Sequence, residues 1–191
     1  LPVALITQMT TAQQATARTP EKPGDFDYYL LSLSWSPAYC AEQSSRKRSP
    51  QCTASKPHGF IVHGLWPQNM RGEPPASCAT TRKLAPDMVR GMLQIMPDSG
   101  LVQHQWRKHG TCSGLSPQEY FRTTRAAYEQ VTIPAGLQPM PNMAISAAEV
   151  ERLFVRENPG LKASQIAMIC KGPRVTEVRI CLSRDLRFTD C

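Results

Sequence analysis

The chain contains four histidines, His58, His63, His104 and His109. Two of them sit among residues that could share a reaction with them. His63 lies in Phe60-Ile-Val-His-Gly-Leu-Trp-Pro67, and His109 in His104-Gln-Trp-Arg-Lys-His-Gly-Thr-Cys112. Each ends an ordered stretch and is followed by Gly, a placement that lets the side chain face a cleft. Lys108 adjoins His109, and Trp66 follows His63 by three residues. An imidazole titrates near working pH, so one copy can be neutral while another is charged. Such a pair can take a proton from one oxygen and give a proton to another. A lysine can hold the charge that builds on a phosphate in between, and an indole can stack a base. These are the parts needed to cut RNA without a metal, with the ribose 2′-OH as nucleophile. Each also has a plainer reading: a strand-end His as a satisfied polar group, Trp66 as core, Lys108 as a solvated cation. His104 and His109 could join Cys112 around zinc, but a five-residue step does not put the two rings on one helix face. No metal and no cofactor is expected.

The composition agrees with a polyanionic partner without requiring one. The 191 residues carry 22 Lys+Arg against 15 Asp+Glu, a net charge of +7, and 15 of the cations are Arg, the side chain whose fork suits phosphate. No stretch approaches the ~20 apolar residues of a membrane-spanning helix. The 17 Pro and 11 Gly are more breaks than a helical bundle tolerates.

Seven cysteines, Cys40, Cys52, Cys78, Cys112, Cys170, Cys181 and Cys191, lie at wide, irregular spacings with no CxxC pair. That pattern predicts disulfides and a secreted or periplasmic location. The odd count leaves one thiol over, or a partner beyond the chain. The opening Leu1-Pro-Val-Ala-Leu-Ile6, with Ala15-Thr-Ala17 after it, reads as the tail of a secretory leader. Residues 1–24 are expected to form a mobile arm, and 25–191 a single domain.

The elements that must carry the two histidine segments follow from periodicity. Phe26 to Trp35 alternates Leu31, Leu33 and Trp35 with Ser32 and Ser34 and predicts a strand. Residues 42–57 read as a polar loop. Phe60–His63 is a second short strand, stopped by Gly64 and Pro67, and 69–85 is irregular. Pro86–Met96 predicts a helix with Met88, Val89, Met92, Leu93 and Met96 on one face. Residues 101–113 give another helix, ending at Gly114. Capping boxes at Ser116–Glu119 and Ser146–Glu149 start two more, one running to about Val131 and the other stopping before Asn158-Pro-Gly160. Strands over 164–171 and 174–182 close the chain. Strands at both ends with helices between predict an α+β fold around a central antiparallel sheet.

The two histidine segments, taken together, resemble the signature blocks of the ribonuclease T2 family. His-Gly-Leu-Trp-Pro stands intact at 63–67, and 104–112 is similar to His-Glu-Trp-x-Lys-His-Gly-Thr-Cys with Gln105 in place of Glu. Asp27–Cys40 is similar to the family's first strand, and the resemblance runs in order over about 26–182. It implies a disulfide-stabilised α+β fold and a secreted or periplasmic endoribonuclease of the bacterial kind. It further implies cleavage of single-stranded RNA with low base specificity, through 2′,3′-cyclic phosphates that are then opened to 3′-phosphates. By this match His63 is the general acid, His109 the base and Lys108 the phosphate stabiliser. Gln105 occupies the remaining catalytic position. His104 helps bind phosphate, Trp66 stacks a base, and Gln68 and Leu101 line the substrate subsites. Leu101 stands where many members have an aromatic wall. Cys40–Cys52, Cys78–Cys112 and Cys170–Cys181 are the implied disulfides, with Cys170–Cys191 and Cys181–Cys191 as alternatives. No cofactor, no membrane and a monomer are expected. The competing expectation is an RNA- or polyanion-binding relative whose catalysis is weakened or lost through Gln105.

Overall fold

A computed structural model describes residues 22–43, 49–139 and 146–191. Four strands, β1 (Tyr28–Trp35), β2 (Phe60–Gln68), β3 (Ile166–Lys171) and β4 (Arg174–Leu182), form an antiparallel sheet in the order β2-β1-β4-β3. The helices between them are α1 (Ser36–Glu42), the single turn α2 (Pro50–Thr53), α3 (Pro86–Met92), α4 (Ser99–Lys108), α5 (Pro117–Glu129) and α6 (Ala147–Glu157). The α+β architecture is the one the sequence predicts.

The alternation of β1 decides which side of the sheet is core. Tyr29, Leu31, Leu33 and Trp35 are buried in one apolar cluster with Val178 and Ile180 of β4. Val102 and Trp106 of α4, Tyr120 and Phe121 of α5, and Leu153 and Phe154 of α6 complete that cluster. Burial of side chains this size stabilises the fold by roughly 1.5–3 kcal/mol each. Ser32 and Ser34 therefore point to the other face, opposite Arg179 and Glu177 of β4.

Three local expectations are corrected. First, β2 does not stop at Gly64 but runs on to Gln68. It is an edge strand, where Pro67 is tolerated, and it carries a bulge. Ser32 pairs with Gly64 and Leu33 with Val62, so His63 is the residue with no partner. Second, the helix from Pro86 ends at Met92 rather than Met96, because the Ile95 carbonyl turns out to accept the Val62 amide at 2.9 Å. Third, the helix expected over 101–113 begins at Ser99, capped by the Asp98 carboxylate on the Gly100 and Leu101 amides. It ends at Lys108 and gives way to a 3₁₀ turn, Gly110–Cys112. The polar stretch 42–57 also contains the helical turn α2, capped by Ser49.

Cys40–Cys52 and Cys78–Cys112 are bonded as the resemblance implied. The third bond is Cys181–Cys191, not Cys170–Cys181, and Cys170 is free and exposed. Register explains this. Cys170 pairs with Val175 across the β3–β4 hairpin, so Cys181 lies six residues further along β4, about 20 Å at ~3.3 Å per residue. A disulfide needs Cα atoms within about 7 Å. The C-terminal tail instead folds back on β4, with the Thr189 amide on the Cys181 carbonyl and the Cys191 amide on the Ser164 carbonyl. Of the expected arm, residues 1–21 lie outside the described residues. Gly24 is already docked, its amide on the Cys112 carbonyl at 2.8 Å and its positive φ allowing close approach to Gly114.

Candidate active site

Two elements deliver the histidines to one place. On β2 the bulge re-aims His63, and β1 offers only the small Ser32 beside it. Across that gap His63 Nδ1 meets Glu177 Oε1 of β4 at 2.8 Å. The carboxylate is itself held. Ser32 Oγ donates to Oε2 at 3.0 Å, and Arg179 donates to the same oxygen from Nε at 3.0 Å. Burial pushes the Glu177 carboxyl up, but the hydrogen bond and charge of His63, with Arg179 behind them, outweigh it and hold it down at about 2.

His109 arrives differently. It caps the C-terminus of α4, where Gly110 follows because a Cβ there would press into Trp106 and Tyr120. The Cys78–Cys112 bond and the Ser77 amide on the Lys108 carbonyl (2.7 Å) pin this exit. The His109 ring stacks on Trp66, centroids 5.0 Å apart and planes 22° apart, while His63 meets the same indole edge-on at 5.2 Å. One tryptophan thus spaces both imidazoles. The Arg179 guanidinium also lies over it, 5.2 Å from the ring centre.

The surroundings of the two rings are opposite in sign. His109 is half-buried, and its Nδ1 is buried without a hydrogen-bond partner among the described residues. Burial, then the charges of Lys108, His104 and His63, pushes its pKa down to about 3. His104 is lowered too, by burial, then Lys108, Arg107 and His63. It stands one turn before Lys108 on the exposed face of α4.

Gln105 is buried, and its Oε1 accepts the Trp66 indole N–H at 2.8 Å. That donor fixes which end of the amide is oxygen. A Cβ on Gly64 would collide with the Gln105 side chain and with the indole nitrogen, so the glycine is needed for this contact. Among the described residues no group of His, Cys, Asp and Glu is arranged to hold a metal.

The ribonuclease T2 family model matches residues 26–191. The chain belongs to the ribonuclease T2 family. Among relatives of this ribonuclease T2 chain, a ribonuclease of Aeromonas hydrophila is 46% identical over 97 residues, 51% of this chain and 42% of that protein. A probable ribonuclease of Haemophilus influenzae is 29% identical over 86% of this chain and 61% of its own length. Ribonuclease I of Escherichia coli is 25% identical over 92% and 82%. The chain thus spans about half the length of the first two relatives. A solved structure of RNase NT in complex with 5′-AMP shares the fold at TM-score 0.68 and 22% identity, covering 87% of this chain and 91% of that one. An RNase-related protein from Calystegia sepium does so at TM-score 0.70 and 22% identity, covering 87% and 90%.

Within this family member, His63, Trp66, Gln105 and His109 form one connected group. His104 and Lys108 lie on the adjoining exposed face of α4. Gln68 stands at the end of β2, donating to the Pro67 carbonyl at 3.0 Å. Leu101, in the first turn of α4, packs against the core cluster. Sequence reasoning missed Glu177 and Arg179. Their signal was a charged face, Glu177 and Arg179, alternating with buried Val178 and Ile180 on a central strand.

Proposed function

We propose that the chain is a metal-independent endoribonuclease that cleaves single-stranded RNA with low base specificity. One observation carries the mechanism: two imidazoles share an indole, one beside a carboxylate and the other buried among cations. Groups whose environments separate their protonation states can divide acid and base work. Among the described residues His109 has no counter-charge and no acceptor at Nδ1, which favours its neutral form, ready to accept a proton. The phosphate of a bound substrate supplies the missing negative charge and raises its basicity.

In the first step His109 takes the 2′-OH proton while the 2′-oxygen bonds to phosphorus. The P–O5′ bond breaks, and His63 gives its proton to the departing 5′-oxygen. This leaves a 2′,3′-cyclic phosphate. Water then opens the ring with the roles reversed, leaving a 3′-phosphate. Lys108, with His104 one turn away, faces the phosphate and offsets the charge on its equatorial oxygens. Trp66 holds the two rings apart at working distance. Gln105 steadies Trp66 by accepting its indole N–H. Three disulfides support a secreted or periplasmic setting.

The test is a digest in EDTA of an oligoribonucleotide and its DNA counterpart, with the ends weighed by mass spectrometry. Cyclic phosphate ends on RNA alone are expected. An uncut RNA that still binds at low salt would replace this reading with that of a binding protein.

A further inference from the structure

The His63–Glu177 contact joins residues 114 apart in sequence and two strands apart in the sheet. Neighbouring strands lie about 4.8 Å apart, so β2 and β4 are separated by roughly twice that. Side chains can meet over the intervening strand only where it is narrow, and Ser32 is fully buried beneath them. Glu177 is the half-buried hub of this arrangement, with both oxygens engaged by named donors. Nothing in the transphosphorylation chemistry requires it to touch substrate.

We propose that Glu177 is the positioning residue of the acid: it holds the His63 proton-bearing Nδ1, so that Nε2 points its own proton at the leaving 5′-oxygen. This rests on the ribonuclease reading above. The physical reason lies in the imidazole itself. An imidazole that donates from Nδ1 to a carboxylate has its ring plane and tautomer set, and its doubly protonated form has a counter-ion at contact. Around His63 stand Glu177 from β4, Trp66 from its own strand, and His104 and His109 from α4 and its exit, with Arg179 on the Glu177 carboxylate and Lys108 acting on both α4 histidines. Among these Glu177 is the anion. Without it, no anion remains among these groups, and nothing holds the Nδ1 proton or fixes the tautomer of the ring. Arg179, which shares Glu177 with His63 and lies over Trp66, sets where the carboxylate sits.

Glu177→Gln keeps the shape and an acceptor but removes the charge, and Glu177→Ala removes both. Glu177→Gln is expected to lower kcat by about 10²-fold, the low end of what a general acid contributes, with KM within threefold. The alkaline limb of the kcat–pH profile should move to lower pH. Glu177→Ala should lose more, and Ser32→Ala should shift the limb slightly in the same direction. Imidazole ¹⁵N shifts should show His63 carrying its proton on Nδ1, and that tautomer preference weakening in Glu177→Gln. Those shifts need no turnover, so they test the pairing even if the chain cuts no RNA. An unchanged His63 tautomer with kcat within twofold of the parent would overturn the proposal. So would a lower kcat with an unmoved alkaline limb, which would make Glu177 merely structural. If Glu177→Ala does not fold, the isosteric Gln variant and Ser32→Ala decide the matter alone.

Discussion

The two ends of the site are built on different principles. His63 stands on a strand, aimed by a bulge and secured by a hydrogen-bonded carboxylate. His109 stands at a helix exit, secured by stacking, a disulfide and a 3₁₀ turn, with no polar partner at Nδ1 among the described residues. The strand end compensates charge, and the helix end excludes it. A single fold can therefore offer the same side chain in two electrostatic settings.

The comparison breaks outright when either ring is removed. His63→Ala and His109→Ala are each expected to lower kcat by about 10³-fold or more, with the melting temperature and RNA binding largely kept. Near-normal turnover in either variant would refute the division of roles. Gly64→Ala attacks the spacer between the ends. The new methyl drives Gln105 and Trp66 apart, at a cost of about 1–3 kcal/mol. A chemical melt should show the loss of stability, and activity should fall with it.

Acid separates the two ends without mutation. Folded His109 takes up its proton only near pH 3, whereas unfolded it does so near 6.5. Protons therefore favour the unfolded chain in that window. Stability is full above about pH 6.5 and declines as the pH falls toward 3. Glu177 is lowered from 4.5 to about 2, so its contribution is present above 4.5 and is lost as pH falls through 2. Urea midpoints measured from pH 7 to pH 2 should fall in two stages, and His109→Gln should remove the upper one. The smallest effect is expected from Gln105→Glu. The new side chain can still accept the Trp66 indole N–H, so activity should stay the same or rise. A large loss in an RNA-cleavage assay would show that the amide N–H groups are needed.

Much of this was legible in the chain. The Leu31, Leu33, Trp35 alternation gave the central strand, Ser116–Glu119 gave the start of α5, and both histidine segments were plain. What escaped depends on how distant segments align. Whether Glu177 is a solvated surface acid or the partner of His63 turns on strand order and on Ser32 lying between. Neither is encoded near position 177. The choice between the alternatives for the third disulfide escaped for the same reason, since hairpin register places Cys170 and Cys181 far apart while the tail brings Cys191 back. Gly64 and Pro67 looked like the end of a strand because their local preferences are those of breakers. In place, one makes room for Gln105 and the other sits on an edge where its missing N–H matters little.

The leftover Cys170 has a practical consequence. Six of the seven cysteine sulfurs are consumed in disulfides, so the remaining exposed thiol on the β3–β4 hairpin is a single attachment point. A maleimide dye or spin label placed there would report from the sheet edge opposite the strand that carries His63, leaving both imidazoles untouched.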